Sequence, residues 1–304
     1  MVKVTKKWYK QNKYMHERKT KMSKKWINFL AFFAMFIINI LATMGKINNV
    51  TPGNISDQYP LTFTPAGYAF SIWSLIYFLM LVFFVWSVSD PHQFTKAAVH
   101  QSYTFLISCI LNIAWIFTWH YKVIWLSWIF IVGLLVTLIV LNHEIQKTVS
   151  LKKTWLENWL DVYPFQIYFG WMIVAVIANT CILLYSFGFK NSFLGIGAEI
   201  WTVILILVAF ILAWFITFVK NIKAVGCVFM WAVLAIAVKN YQWSMAGADI
   251  TQFASKGNLL IVIIALIAVL LMMKSYMDQC PCVKSPCECS DQPEQKIGKK
   301  AKKK

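Results

Sequence analysis

The chain has 304 residues, of which 59% are apolar and 13% charged, with 29 Lys+Arg against 12 Asp+Glu and 15 Trp. Soluble domains run at about 45–50% apolar and about 25% charged, so a water-facing exterior cannot hide this much hydrophobic surface, and a soluble two-domain enzyme is excluded. The formal charge of +17 would suggest nucleic acid in a soluble protein, but the basic residues crowd at the two ends of the chain, which points to membrane topology and leaves no nucleic-acid partner expected.

In chain order, residues 1–25 form a basic tail with ten Lys/Arg, and apolar runs follow at about 26–44, 66–88, 102–120, 123–143, 161–186, 198–219, 222–240 and 257–273. A bilayer core about 30 Å thick takes on the order of 20 apolar residues of helix, so each run is long enough to cross once. Hydrocarbon offers backbone groups no water, so each run must pair its own N–H and C=O groups as a helix. The runs are too long and too unalternating for barrel strands. The sequence therefore predicts an all-α polytopic transmembrane helix bundle of about eight spans. The first run is too long for a secretory signal and reads as a start-transfer helix.

An even number of spans puts both termini on one side. That side holds 24 Lys/Arg, and the other holds five: Lys46, Lys122, Lys190, Lys239 and Lys256. The positive-inside rule then makes both termini cytoplasmic, with span parity and the two tails carrying the argument, since the short loops alone split almost evenly.

The spans are also defined by what they lack. On this reading all twelve acids lie in loops, tails or helix ends, which disfavours an ion-coupled carrier with a mid-membrane carboxylate. The five His also fall at ends, so paired haem-ligating His are missing. No Lys is expected inside a span, which removes a retinal Schiff base. Nor do the last three runs contain a Gly/Pro-broken pair of the kind that builds many transporter sites.

The polar residues expected inside the spans include Asn39, Asn112 and Asn179, each about 7–12 Å from the outer end of its helix, with Trp73 at a similar depth. Spacing by three and four then aligns faces. Gln101, Phe105, Ser108, Asn112, Trp115 and Trp119 form one stripe; Phe70, Trp73 and Tyr77 a second; Pro164, Tyr168, Trp171, Ala175 and Asn179 a third. Two readings stand. The stripes line a pocket of flat aromatic faces with a few amide donors, or the Asn side chains bond helix to helix while the Trp fill the core. Trp26, Trp86, Trp125, Trp155, Trp159, Trp201 and Trp243 read as interfacial anchors.

The stretch Phe63-Thr64-Pro65-Ala66-Gly67-Tyr68-Ala69-Phe70, continuing through Trp73 to Tyr77, resembles the first-loop and second-helix signature of the tryptophan-rich sensory protein family, also called translocator protein or peripheral benzodiazepine receptor. Leu111-Asn112-Ile113-Ala114-Trp115 is similar to its third-helix motif, and Pro164-Phe165, Tyr168, Trp171 and Ala178-Asn179 to its fifth. The chain departs from the pattern at Ala66, Tyr68 and Ser71. The resemblance implies a five-helix translocator-like core over residues 26–187, with three additional helices over 188–274 between the basic tail 1–25 and a Cys/Lys-rich tail 275–304 expected to be disordered. It also implies a pocket closed by the first loop that takes porphyrins, haem-like tetrapyrroles, sterols or synthetic aromatics. By position, Pro65 and Phe70 would shape the lid and entrance, Trp73 and Asn112 would contact ligand, and Trp115 would line the wall. With the stripes, the expected ligand-binding set is Pro65, Phe70, Trp73, Tyr77, Asn112, Trp115, Trp119, Trp171 and Asn179.

In the tail, Cys280, Cys282, Cys287 and Cys289 form a weak thiolate array for Zn or Cu(I), and lipidated or free cysteines are the commoner reading. The terminal lysine run can bind anionic lipid, and in a eukaryote it would read as an endoplasmic-reticulum retrieval signal. The expected partners are the bilayer and a hydrophobic small molecule, with a homodimer left open. No cofactor is required, porphyrin or haem entering only as ligand. Three functions follow: a ligand-binding sensor, chaperone or translocator; a passive small-solute carrier or channel; and a porphyrin-degrading enzyme, for which no acid–base pair or metal site speaks.

Overall fold

The computed structural model describes residues 26–89, 103–148, 159–190, 192–246 and 254–279, so the expectations for both tails lie outside the described residues. Eight of its helices are long and apolar enough to cross a membrane. They are α1 (Trp26–Thr43), α3 (Ile72–Ser89), α4 (Tyr103–His120), α5 (Ile124–Thr148), α6 (Tyr163–Ser186), α7 (Ala198–Trp214), α8 (Lys223–Ala246) and α9 (Ala254–Asp278). The short α2 (Pro52–Asp57) lies in the first loop, and a 3-10 turn at Gly67–Ser71 leads into α3. The membrane helices and their order are those read from the apolar runs.

Local sequence explains the ends. Pro164 opens α6 in the first turn, where its missing N–H costs nothing. Gly188, at φ +99°, stops the chain after α6, and Leu194-Gly195, both at positive φ, turn a two-residue hairpin between β1 (Ser192–Phe193) and β2 (Ile196–Gly197). That hairpin is a small addition to an otherwise helical chain. α7 finishes in a π-turn, Phe215–Val219.

Burial ranks the helices. Some 61% of the apolar window of α8 and 56% of that of α6 is buried, against 28% for α1, α5, α7 and α9, so α6 and α8 form the centre of the bundle. The helices read as additional are therefore packed into the core helices as one body. In lipid, helices associate through close packing and not through a hydrophobic difference, and small residues permit the closest approach. A Cβ on Gly170 of α6 would lie 3.1 Å from Val228 Cβ and 3.2 Å from Val225 Cα of α8. Buried Ala232 and Ala235 in α8, and Ala265 and Ala268 in α9, continue the small-residue packing.

At the end of the bundle away from the first loop, phenylalanines join α1, α3, α4 and α6. Phe32 stacks on Phe84 at 4.6 Å, Phe84 meets Phe105 at 5.5 Å, and Phe165 meets Phe83 at 5.0 Å. Trp128 of α5 donates to Thr180 of α6 at 2.9 Å, and Gln166 of α6 accepts from the backbone N–H of Ala224 of α8 at 3.4 Å. Trp26, Trp86, Trp125 and Trp159 are exposed, as anchors should be; Trp155 and the Trp243 side chain lie outside what is described.

The α6–α8 seam predicts the effect of filling it. Gly170→Leu should push the two helices apart and lower stability by about 1–3 kcal/mol, with Gly170→Ala losing less, as read from thermal unfolding midpoints in detergent.

Candidate functional site

The first loop folds into a lid across one end of the bundle. Thr51 caps α2, accepting from Asn54 N–H at 3.2 Å, and Pro52 occupies the first turn. Two bonds fix the lid to the end of α4: Trp119 Nε1 donates to Pro52 O at 3.3 Å, and Asn48 Nδ2 to His120 O at 2.7 Å.

A third anchor comes from α8. The Ala66 N–H donates to Ala235 O at 3.1 Å, Asn240 Nδ2 to Thr62 O at 2.8 Å, and Trp231 Nε1 to Ala69 O at 3.2 Å. Lys239 Nζ donates to Thr64 Oγ1 at 2.8 Å and pairs with Asp57 Oδ1 at 3.3 Å. This corrects the expectation that no Lys falls inside a span. Lys239 lies within α8 at 6% exposure, tolerated because the lid supplies a carboxylate and a hydroxyl. Its partner Asp57 is 182 residues away in sequence, so periodicity held no signal for the pair.

Under the lid, Pro65, Phe70, Trp73, Trp115, Trp119, Trp171 and Asn179 line one small chamber with Ser56, Val174, Ala175, Ala178 and Ile182. Trp73 is its hub: its ring lies 5.7 Å from Trp115, 6.3 Å from Trp171 at 86°, 5.8 Å from Tyr168, and 5.6 Å from Tyr77 in a stacked pair. Phe70 meets Trp171 edge-on at 6.0 Å, and Trp115 stacks with Trp119 at 6.3 Å. These offset and edge-to-face geometries are the favourable ones for rings. The indole N–H groups of Trp115 and Trp171 are buried without an acceptor. The chamber volume is about 20 Å³, room for little more than a water molecule.

Seven of the nine residues expected at a ligand site thus meet at the chamber. Tyr77 and Asn112 are not among its lining residues and do something else. Asn39 Nδ2 donates to Asn112 Oδ1 at 2.7 Å, while Asn112 Nδ2 donates to Tyr168 OH at 2.8 Å and Tyr77 OH at 3.3 Å. One amide therefore ties α1, α3, α4 and α6 together beneath the aromatic floor. Asn39 and Asn112 follow the helix-to-helix reading, while the Trp stripes meet around the chamber and fill most of it with their own rings. Asn179 spends its amide on Ala175 O at 2.8 Å, inside its own helix. The four tail cysteines lie outside the described residues, among which no group of three or more His, Cys, Asp or Glu gathers as a metal site.

Together these features define an α-helical, multi-pass integral membrane protein whose first loop closes an aromatic chamber. A family model described as TSPO-like protein matches residues 25–276, and the chain belongs to that family. The match runs through α7–α9 as well as the five-helix stretch that carries the motifs. Neither the curated proteins nor the solved structures contain a match to the chain.

Two outcomes follow. Asn112→Leu removes the inter-helix bonds to Asn39, Tyr77 and Tyr168, leaving Asn39 its own-helix bond to Met35 O at 2.8 Å, and should cost about 1–2 kcal/mol of stability with no ligand present, visible as a lowered unfolding midpoint. Lys239→Met keeps the apolar stem but removes the bonds to Thr64 and Asp57. Because Asp57 is half exposed, the loss should be held to roughly 1 kcal/mol, or about fivefold faster hydrogen exchange across residues 52–66.

Proposed function

We propose that this protein binds a flat, hydrophobic aromatic molecule bearing hydrogen-bond acceptors, of the tetrapyrrole or sterol-like class, in the chamber beneath the first loop, and acts as a sensor, chaperone or translocator for it. The observation that carries this reading is the ring box itself: four indoles and Phe70 around one chamber, with the Trp115 and Trp171 N–H groups buried and unsatisfied. A buried donor without a partner costs about 1–3 kcal/mol. An acceptor on a planar ligand would recover that energy while its faces stack on the rings.

Size sets the manner of binding. Ligand pockets occupy about 300–1,000 Å³, so nothing of this class enters a chamber of about 20 Å³ until the lid lifts and the rings part. Binding is then linked to an opening equilibrium, and apparent affinity falls in proportion to the fraction of open molecules. The α8 contacts to the lid set that fraction. With Lys239, Asn240 and Trp231 holding the closed form, α8 is the controlling helix, which gives the last three spans a role in ligand access.

Placement in the cell rests on charge: the 24 Lys/Arg on one side support cytoplasmic termini, with the lid on the opposite face.

Titration of the full chain with protoporphyrin IX or haem, followed by Trp quenching, tests the reading. Saturable quenching is expected, weakened at least tenfold by Trp73→Ala or Trp171→Ala, whereas Lys239→Met should speed association several-fold. Equal affinity in parent and Trp variants would remove the chamber from the account. Solute flux into vesicles without any ligand affinity would select the carrier, and light-dependent porphyrin loss that needs the Trp residues would select the enzyme.

A further inference from the structure

A cleft of about 340 Å³ lies on the α7 side of α6, lined by other α6 residues than those facing the chamber. Val176, Thr180 and Leu184 step by four along α6, opposite Trp201 and Leu205 of α7, so the cleft runs parallel to the helix axes for about 12 Å. Its shape suits a chain and not a disc.

The chemistry of the walls narrows the occupant. Thr180 Oγ1 donates to Val176 O at 2.8 Å and accepts from Trp128. The Thr62 and Thr202 hydroxyls bond each other at 2.5 Å, and Trp201 Nε1 donates to Phe193 O at 2.8 Å. With these polar groups engaged inside the protein, an occupant gains nothing from hydrogen-bonding atoms along its length, in contrast to the chamber with its two unpaired indoles. Hydrocarbon fits. Among the lining residues Lys190 alone is charged. It sits just beyond the end of α6, its Nζ 5.8 Å from the Tyr185 ring. Tyr185 and Trp201 are aromatic residues of the kind found at headgroup level, which places the ammonium where a lipid phosphate would be.

We infer that this cleft holds one acyl chain of an anionic phospholipid, with its headgroup on Lys190. The site is independent of the ligand reading for the chamber, yet it shares the lid: Leu61, Thr62 and Phe63 line the cleft, and Pro65, two residues on, closes the chamber. A chain in the cleft therefore backs the lid segment that Asn240 grips at Thr62 O.

The full-length protein in nanodiscs provides the test, with phosphatidylglycerol or phosphatidylcholine carrying a dibrominated acyl chain as quencher. The Trp201 contribution is read as the difference between parent and Trp201→Phe. One lysine at a membrane surface favours anionic lipid about fivefold. Half-quenching of Trp201 is expected at about fivefold lower mole fraction of phosphatidylglycerol than of phosphatidylcholine. Lys190→Gln should erase that ratio, whereas Lys220→Gln at the opposite end should leave it. Val176→Phe, which fills the cleft, should lower quenching by both lipids. Should Trp201→Phe fail to fold, lipid retained on the parent and on Lys190→Gln in native mass spectrometry gives the same comparison. Equal quenching or retention of the two lipids by the parent, or a preference that survives Lys190→Gln, would overturn the site.

Discussion

The close approach of α6 and α8 at Gly170 is the contact on which the rest of the arrangement depends. With no Cβ on Gly170, Val225 and Val228 of α8 come within van der Waals reach of the α6 backbone. That distance seats α8 beside α6 and beneath the lid, where Ala235 O can accept from Ala66 N–H and Lys239 can reach Thr64. A helix displaced by even one side-chain layer would take from Lys239 its bonds to Thr64 and Asp57, and from Thr62 O its bond to Asn240. Lid closure and bundle packing are thus one interaction seen at two depths.

α6 is also the shared wall of three environments. Its Tyr168 belongs to the polar node with Asn112, its Trp171 and Asn179 face the chamber, and its Val176 and Thr180 line the cleft toward α7. Polar groups in a membrane protein must find partners internally, and here they do so unevenly. The node is closed, since the Asn39 and Asn112 amides and the tyrosine hydroxyls serve one another. The cleft walls are closed too. Among the described residues the buried indole donors left without an acceptor, those of Trp115 and Trp171, belong to residues that line the chamber.

Much of the fold could be read along the chain. Runs of apolar residues gave eight helices in the right order because hydrocarbon enforces helix wherever a run is long enough. Three-and-four spacing correctly gathered Trp73, Trp115, Trp119 and Trp171 around one chamber, since side chains on one stripe of a buried helix must face the same neighbour. The same spacing could not separate Asn112 from that set. A stripe gives direction around a helix, whereas the choice between lining a cavity and bonding another helix depends on where Tyr168 and Asn39 arrive. Lys239 was misplaced for a related reason: at the end of an apolar run it is indistinguishable from a loop lysine until Asp57 is seen beside it.

The sequence by itself determined that this is a membrane bundle, how many times it crosses, and which helix faces are aromatic, because these follow from local composition and helical period. Only the tertiary structure decided that α8 is central, that the lid is pinned by Lys239 and Asn240, that the chamber is closed to about 20 Å³, and that a second, hydrocarbon-lined cleft opens behind it. Those are properties of distances between residues far apart in the chain, and interhelical distance is set by small-residue packing in three dimensions, which no one-dimensional period records.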